Sequence, residues 1–264
     1  MSERPPRSVA LVTGAGRGIG VGIAQALAQA GLKVALADVD RASVEQEAAA
    51  LRANGREAVG LALDVVDAAA WSQGVAAVVE RWGGLDVLVN NAGISPRGTA
   101  ESTDEALWDR TLAINLKGPW LGIKTALPWL RQRAGAIVNI GSTRATRPLR
   151  GLCAYCSSKA GLVGLTQQVA IEYLDDGVTS NMVAPGWVDT PGERVLQARY
   201  GRPDFPAGLR KLTTPDEVGA AVVFLASEPG RKVNGVILYL DAGLHVADDV
   251  AMVYRGAAAS PLDF

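Results

Sequence analysis

Three side chains near the middle of the chain have the makings of an acid–base centre. Tyr155 is followed four residues later by Lys159, within Tyr-Cys-Ser-Ser-Lys, and Ser142 lies thirteen residues upstream of the tyrosine. Positions four apart share a helix face, and an ammonium there favours a phenolate and lowers the pKa of the phenol. A tyrosine so placed can trade protons with an alcohol or a ketone closer to neutral pH than an ordinary phenol, which titrates near about 10. The plain alternative is a packed ring beside a solvated ammonium, so the pair gains weight only from what accompanies it.

What accompanies it is a glycine-rich turn, Thr13-Gly14-Ala15-Gly16-Arg17-Gly18-Ile19-Gly20, between an apolar run and a helical pattern. Gly14 suits a sharp turn, Gly18 lets backbone approach a pyrophosphate, and Gly20 permits close helix packing. Arg17 and Ile19 lie in the same turn, where the helix N-terminus faces the anion. A glycine turn that serves packing alone is the other reading. The next apolar run ends at Asp38, eighteen residues beyond Gly20. A carboxylate there hydrogen-bonds both hydroxyls of an adenosine ribose and repels a 2′-phosphate, which favours NAD over NADP. Arg17 and Arg41 are near enough to offset part of that repulsion. Asp38 could instead cap the following helix, although Asp40 already suits that role. Asp64 and Val65, after the third apolar run, have the position of an adenine contact.

These residues need a scaffold that brings strand ends together, and the chain supplies one. Short β-branched or aliphatic runs at Val9–Thr13, Lys33–Ala37, Ala58–Leu63, Val87–Asn90, Ala136–Ile140, Val178–Val183 and Val236–Leu240 alternate with longer stretches of helical spacing. Those stretches are Ile19–Ala30, Arg41–Asn54, Ala68–Trp82, Asp104–Leu130, Cys153–Tyr173 and Pro215–Ala226. The alternation predicts βαβ units: an α/β fold, one Rossmann-type doubly wound domain over residues 1–264, with a seven-stranded parallel sheet and helices on both faces. Asp40, Thr214 and Pro215 suit helix starts, and Gly31 and Gly55 suit helix ends. The stretch from Gly186 to Thr214 is long for a connection and reads as a substrate lid, with a tolerated surface excursion as the alternative.

Bulk composition bounds the partners. The 264 residues are 48% hydrophobic and 20% charged, with 26 Lys+Arg against 27 Asp+Glu and a net charge of -1. A balance this even gives no electrostatic reason for a nucleic-acid or anionic-membrane partner and points to small-molecule chemistry. The polar start MSERPPRS leaves no room for a secretory segment, and no run of about 18 apolar residues occurs. A soluble, cytoplasmic protein is expected. Cys153 and Cys156 form a C-x-x-C around Tyr155; a redox dithiol and small packing residues are both open, the latter favoured by context. The single histidine, His245, has no second His or Cys at ligand spacing, so no metal is expected.

The ordered set of motifs resembles the classical short-chain dehydrogenase/reductase family from about Ser8 to Gly243. The matching pieces are the turn at Thr13 to Gly20, Asn90-Asn91-Ala92-Gly93, Asn115, Ser142, Tyr155 with Lys159, and Pro185-Gly186. The resemblance implies that Tyr155 is the general acid/base, that Ser142 hydrogen-bonds the reacting oxygen, and that Lys159 lowers the pKa of Tyr155 and holds the nicotinamide ribose. It implies that Asn115 bends its helix and holds a proton-relaying water. It also implies that Asn90, Asn91, Ala92 and Gly93 steady the sheet and border the adenine ribose, and that Pro185, Gly186, Val188 and Thr190 line the nicotinamide. Asp241-Ala242-Gly243 departs slightly from the Asp-Gly-Gly common among relatives, and the tail from His245 to Phe264 has no family pattern. A homotetramer built on the two long helices, Asp104–Leu130 and Cys153–Tyr173, is implied as well.

Substrate residues are read from the loop between the serine and the tyrosine. Arg144, Arg147 and Arg150 fall within seven residues, joined by Arg97 after the fourth strand, Arg194 in the lid, and Trp187 beside Gly186. Guanidinium grips carboxylate in two-pronged fashion, so an anionic or polyhydroxylated substrate is one reading; solvent-facing or subunit-facing arginines are the other. The expected activity is NAD(H)-linked interconversion of a secondary alcohol and a ketone, on a sugar, polyol, hydroxy acid or similar metabolite. Alternatives are an NADP(H)-linked 3-ketoacyl-carrier-type reductase and a silent dinucleotide-binding scaffold.

Overall fold

The structure, a computed structural model, describes residues 7–199 and 212–246. The later part of the expected lid and the tail beyond Val246 lie outside the described residues.

Seven strands form one parallel sheet: β1 Val9–Thr13, β2 Lys33–Asp38, β3 Ala58–Ala62, β4 Val87–Asn90, β5 Ala136–Ile140, β6 Thr179–Pro185 and β7 Ile237–Leu240. Their spatial order is β3-β2-β1-β4-β5-β6-β7. The chain builds outward from β1 to β3, then crosses back and builds outward again from β4. The change of direction falls between β1 and β4, and in such sheets ligands bind outside the carboxyl ends of the strands at that point.

Side-chain alternation along β1 shows why helices must cover both faces. Ala10 and Val12 pack into one apolar cluster with Ile23, Leu27 and Val222, while Val9 and Leu11 enter the opposite one with Trp71, Leu130 and Ile137. A strand buried on both faces reads as a continuous apolar run, and every residue of β1, β4 and β5 is buried. The first cluster is closed by α1 (Ile19–Gln29), α2 (Arg41–Ala53) and a C-terminal helix, Pro215–Ala226; the second by α3 (Ala68–Trp82) and, further along, the helix Gly118–Arg133.

Two departures from the sequence expectation carry information. The expected helix from Asp104 to Leu130 is three segments: α4 Glu105–Leu112, a π-turn Ala113–Lys117, and α5 Gly118–Arg133. Pro119 accounts for the break, because proline has no N–H to return to the carbonyl four residues earlier, here that of Asn115. Following α6 (Cys153–Glu172), the stretch expected as a lid opens with a helix that the helical spacing had not marked, α7 Pro191–Arg199, before α8 at Pro215–Ala226. Thr190 caps α7 by accepting from the Glu193 N–H at 3.1 Å, with Pro191 in the first turn. That Thr-Pro-Gly-Glu signature is a helix start of the same kind as Thr214-Pro-Asp-Glu, where the capping box is complete.

Candidate active site

At the switch point two loops are locked together before any ligand arrives. The Thr13 hydroxyl donates to the Val89 carbonyl and accepts from the Asn91 and Ala92 N–H groups at 3.0 and 3.1 Å. The Asn91 amide donates back to the Thr13 and Gly14 carbonyls at 2.8 and 3.0 Å. Gly14 has φ +62°, and a Cβ there would lie 2.8 Å from the Ala92 Cα. A Cβ on Gly20 would meet the Gly14 carbonyl at 2.1 Å, so helix α1 packs onto its own turn only because the residue is glycine. Gly18, at φ +57°, opens α1 with no side-chain cap, which leaves the first-turn N–H groups available to an anion.

Beside these loops runs a cleft of about 1360 Å³. Of the residues expected at the cofactor, Gly14, Arg17, Gly18, Ile19, Asp38, Asp64, Val65, Asn91, Ala92, Gly93 and Thr190 line it. Gly20 stands behind the turn, and Pro185, Gly186 and Val188 are not among the walls: Gly186 donates to Leu240 at 2.9 Å, and Val188 is buried against Thr213. Asp38 accepts from the Gly16 and Asp40 N–H groups at 3.3 and 3.1 Å. Capping of α2 falls to Asp40, which accepts from Ala42 and Ser43 at 3.1 and 3.2 Å. Sequence reasoning missed Val39, 69% exposed directly after Asp38 and part of the same wall. An apolar residue left in the open at a strand end was the available signal, since such a position supports nothing in the core.

The acid–base residues gather at the far side of Gly93. The Tyr155 hydroxyl lies within interaction range of the Ser142 side chain, whose Oγ accepts from the Arg144 N–H at 3.1 Å. Lys159 is buried and donates to the Ile140 carbonyl at 2.8 Å, its Nζ lying 5.8 Å from the centre of the Tyr155 ring. Asn115, fully buried in the π-turn, clamps Ile94 from both sides at 2.9 Å and donates to Ser158 at 3.0 Å. Ser158 in turn donates to the Tyr155 carbonyl at 2.7 Å. A Cβ on Gly93 would approach Asn115 Oδ1 at 3.3 Å and Lys159 Nζ at 3.6 Å. Gly93, on the cleft wall, therefore lies directly against Asn115 and Lys159. Ser142, Tyr155 and Lys159 are not among the cleft walls themselves.

The electrostatics correct one expectation. Loss of hydration raises the Tyr155 pKa above its ordinary value, and the Ser142 side chain and the Arg144 charge only oppose this. Lys159 is not among the groups that set the direction, and the same burial brings its own pKa down from 10.5 to about 8. Tyr155 as a whole is half-buried, so the upward push is that of a crowded site wall rather than of the sealed core.

The expected substrate residues divide. Arg144 is half-buried within electrostatic reach of Tyr155, Arg97 and Arg147. Trp187 is half-buried, and its carbonyl accepts from the Thr213 N–H at 3.0 Å. Arg194 is instead committed to Asp189, which it grips with two nitrogens at 2.5 and 2.6 Å on the exposed surface. Cys153 and Cys156 are free thiols, Cys156 buried beside Tyr155. Among the described residues no cluster of metal-ligating groups occurs, and no helix is long and apolar enough to cross a membrane.

A glycine turn opening onto a strand-end cleft, with Ser, Tyr and Lys behind it, defines a dinucleotide-dependent oxidoreductase. The chain belongs to the classical short-chain dehydrogenase/reductase family: the family model adh_short_C2, described as Enoyl-(Acyl carrier protein) reductase, matches residues 14–245. It is 37% identical to 2-(S)-hydroxypropyl-CoM dehydrogenase 3 of Xanthobacter autotrophicus, covering 92% of this chain and 99% of the relative. It is 38% identical to trans-4-hydroxycyclohexanecarboxylate dehydrogenase of Sinomonas cyclohexanicum, covering 92% and 95%. The solved 3-ketoacyl-(acyl-carrier-protein) reductase of Brucella melitensis, complexed with NADH, superposes with a TM-score of 0.82 at 31% identity, over 90% of this chain and 98% of that one. The protein is thus an oxidoreductase acting on CH–OH groups with an NAD(P) cofactor.

Proposed function

We propose that this chain is an NAD(H)-dependent dehydrogenase that interconverts a secondary alcohol and a ketone on a small hydroxylated metabolite. The observation that carries the reading is the grouping of Ser142 and Tyr155 with buried Lys159 next to a cleft lined by Gly93 and Asp38.

The residues present fit the cofactor. Gly14, Gly18 and the uncapped start of α1 suit a pyrophosphate, Val39 offers an apolar face for adenine, and Asp38 offers a carboxylate for the ribose hydroxyls. That carboxylate favours NAD, since a 2′-phosphate would meet it with like charge. When bound, the cofactor supplies the nicotinamide carbon that accepts or returns the hydride.

This chain's own residues handle the proton. In oxidation Tyr155 Oη takes the carbinol proton while Ser142 Oγ holds the same oxygen; in reduction the proton returns by the same path. An ammonium has three donors, and with one on Ile140 the others of Lys159 are available to the nicotinamide ribose. Asn115 holds this corner in place through Ile94 and Ser158, and its carbonyl, denied an N–H by Pro119, offers a seat for a relaying water. A phenol is protonated at neutral pH and burial pushes its pKa further up, so reduction is favoured there and oxidation gains as the pH rises.

The apolar groove of about 520 Å³ lined by Leu112, Leu116, Trp120 and Leu165, on α4, the π-turn, α5 and α6, suits a second copy of the chain in a homotetramer. The same reading places the protein in the cytoplasm. A panel of secondary alcohols offered with NAD and with NADP, followed at the NADH absorbance band, tests the function. Absence of turnover across the panel, or turnover confined to NADP, contradicts it. The likeness to a 3-ketoacyl-(acyl-carrier-protein) reductase supports a second reading, ketoacyl reduction, which the same panel detects as NADPH-linked turnover of a 3-ketoacyl thioester.

A further inference from the structure

The loop from Ser142 to Gly151 is built around guanidinium groups that nothing in the acid–base centre requires. Arg144 follows Ser142 by two residues in a short helical turn, Thr143–Ala145. Its side chain makes one long hydrogen bond, 3.4 Å to the Arg147 carbonyl. The groups that act on its charge are the Tyr155 hydroxyl and the Cys156 thiol on one side and two like charges, Arg147 and Arg97, on the other. Among the described residues no carboxylate lies within ion-pair distance of Arg144. A half-buried cation that has lost hydration and has no ion-pair partner among the described residues is costly unless an anion completes the arrangement.

The arrangement is held rather than accidental. Gly98, next to Arg97, donates to the Gly151 carbonyl at 3.0 Å and accepts from Cys153 at 3.0 Å, so Arg97 is fixed beside the first turn of α6. Arg147 donates to the Leu244 carbonyl at 2.9 Å. Thr146 shares a 2.9 Å hydrogen bond with the Tyr239 hydroxyl. Tyr239 is stacked on His245 at 3.9 Å, and His245 is bonded to Asp241 at 2.9 Å. The turn after β7 thus braces the arginine loop from behind, leaving Arg144 forward at the Ser142–Tyr155 pair.

We infer that Arg144, flanked by Arg97 and Arg147, receives an oxyanion head group, carboxylate or sulfonate, carried by the substrate a few bonds from the reacting carbon. The inference rests on the dehydrogenase reading above for the place of the reacting carbon, and it narrows the substrates to anionic secondary alcohols and ketones. Guanidinium meets either head group with paired N–H donors, and a neutral analogue leaves those donors unmet.

Calorimetric titration of the NADH-loaded protein with cyclohexanecarboxylate, cyclohexanesulfonate and cyclohexanecarboxamide tests this. The expected result is that at least one anion binds about ten- to a hundredfold tighter than the amide. The tighter anion identifies the head group, its affinity falls as NaCl is raised, and Arg144→Gln shrinks the preference. The wild-type comparison and its salt dependence need no variant. The inference is overturned if neither anion outbinds the amide, or if folded Arg144→Gln keeps the full preference. Anion preference without NADH formation from the hydroxylated counterparts leaves this site standing and removes the dehydrogenase reading. NADH formation with no preference for charge does the reverse.

Discussion

The two ends of the site are held by different means. At the cofactor end the backbone does the positioning: Gly14 and Gly20 lie where any side chain would strike neighbouring main chain, and Thr13 and Asn91 bond to carbonyl and amide groups. At the proposed substrate end side chains do it, through Ser142, Arg144, Thr146 and Arg147 and the contacts of the last two with Tyr239 and Leu244. A backbone-built end admits few residue types and one ligand shape. An end built from side chains on loops can be re-lined without moving the sheet, which is how one scaffold comes to serve many substrates.

The largest effect that sharpens this division is on turnover. Tyr155→Phe should lower kcat by about 10²- to 10⁴-fold, the usual contribution of a positioned acid/base group. NAD affinity, read by fluorescence titration, should move little; loss of both together would break the division. Next comes a pH-dependent stability. A base with a depressed folded-state pKa binds its proton more tightly when unfolded, so stability rises with pH between about 8 and 10.5, and the full penalty is present below about 8. The span, 10.5 less about 8, corresponds to on the order of 3 kcal/mol. Lys159→Met should therefore be more stable than the parent in thermal unfolding at neutral pH, with the gap narrowing across that window and closed above its upper limit, while activity falls. A gap independent of pH would contradict the burial argument.

Smaller effects probe the cofactor end. Asp38→Ala should reduce kcat/KM with NAD by about ten- to a hundredfold, the worth of a charged hydrogen bond, and improve it with NADP. An unchanged ratio between the two cofactors would take Asp38 out of cofactor selection. Gly20→Ala should cost about 1–3 kcal/mol of stability by overpacking, measured by urea unfolding, and should weaken NAD binding because the turn must shift.

Much of this was legible in the sequence because it depends on local rules. Strand runs, glycine positions and the order of motifs identify the sheet, and β1, β4 and β5 run between the residues the apolar pattern marks. What was not legible depends on contacts between distant parts of the chain. Asn115 lies in a π-turn because Pro119 withholds a hydrogen bond and Ile94 offers two; helical periodicity registers neither, and only the family resemblance implied a bend there. The direction of the Tyr155 pKa was misread from spacing alone, since spacing records the ammonium and not the burial that outweighs it. Helix α7 was the avoidable miss, its Thr-Pro-Gly-Glu start being visible in the chain.

The central claim is that the Tyr155 hydroxyl moves the proton when a secondary alcohol is oxidised, and single-turnover formation of NADH followed between about pH 6 and 10 reads it most directly. The account predicts a rate that climbs with pH as the phenol ionises, and a far slower rate in Tyr155→Phe that has lost this dependence. The same climb at the same amplitude in Tyr155→Phe would assign the proton to another group and contradict the account.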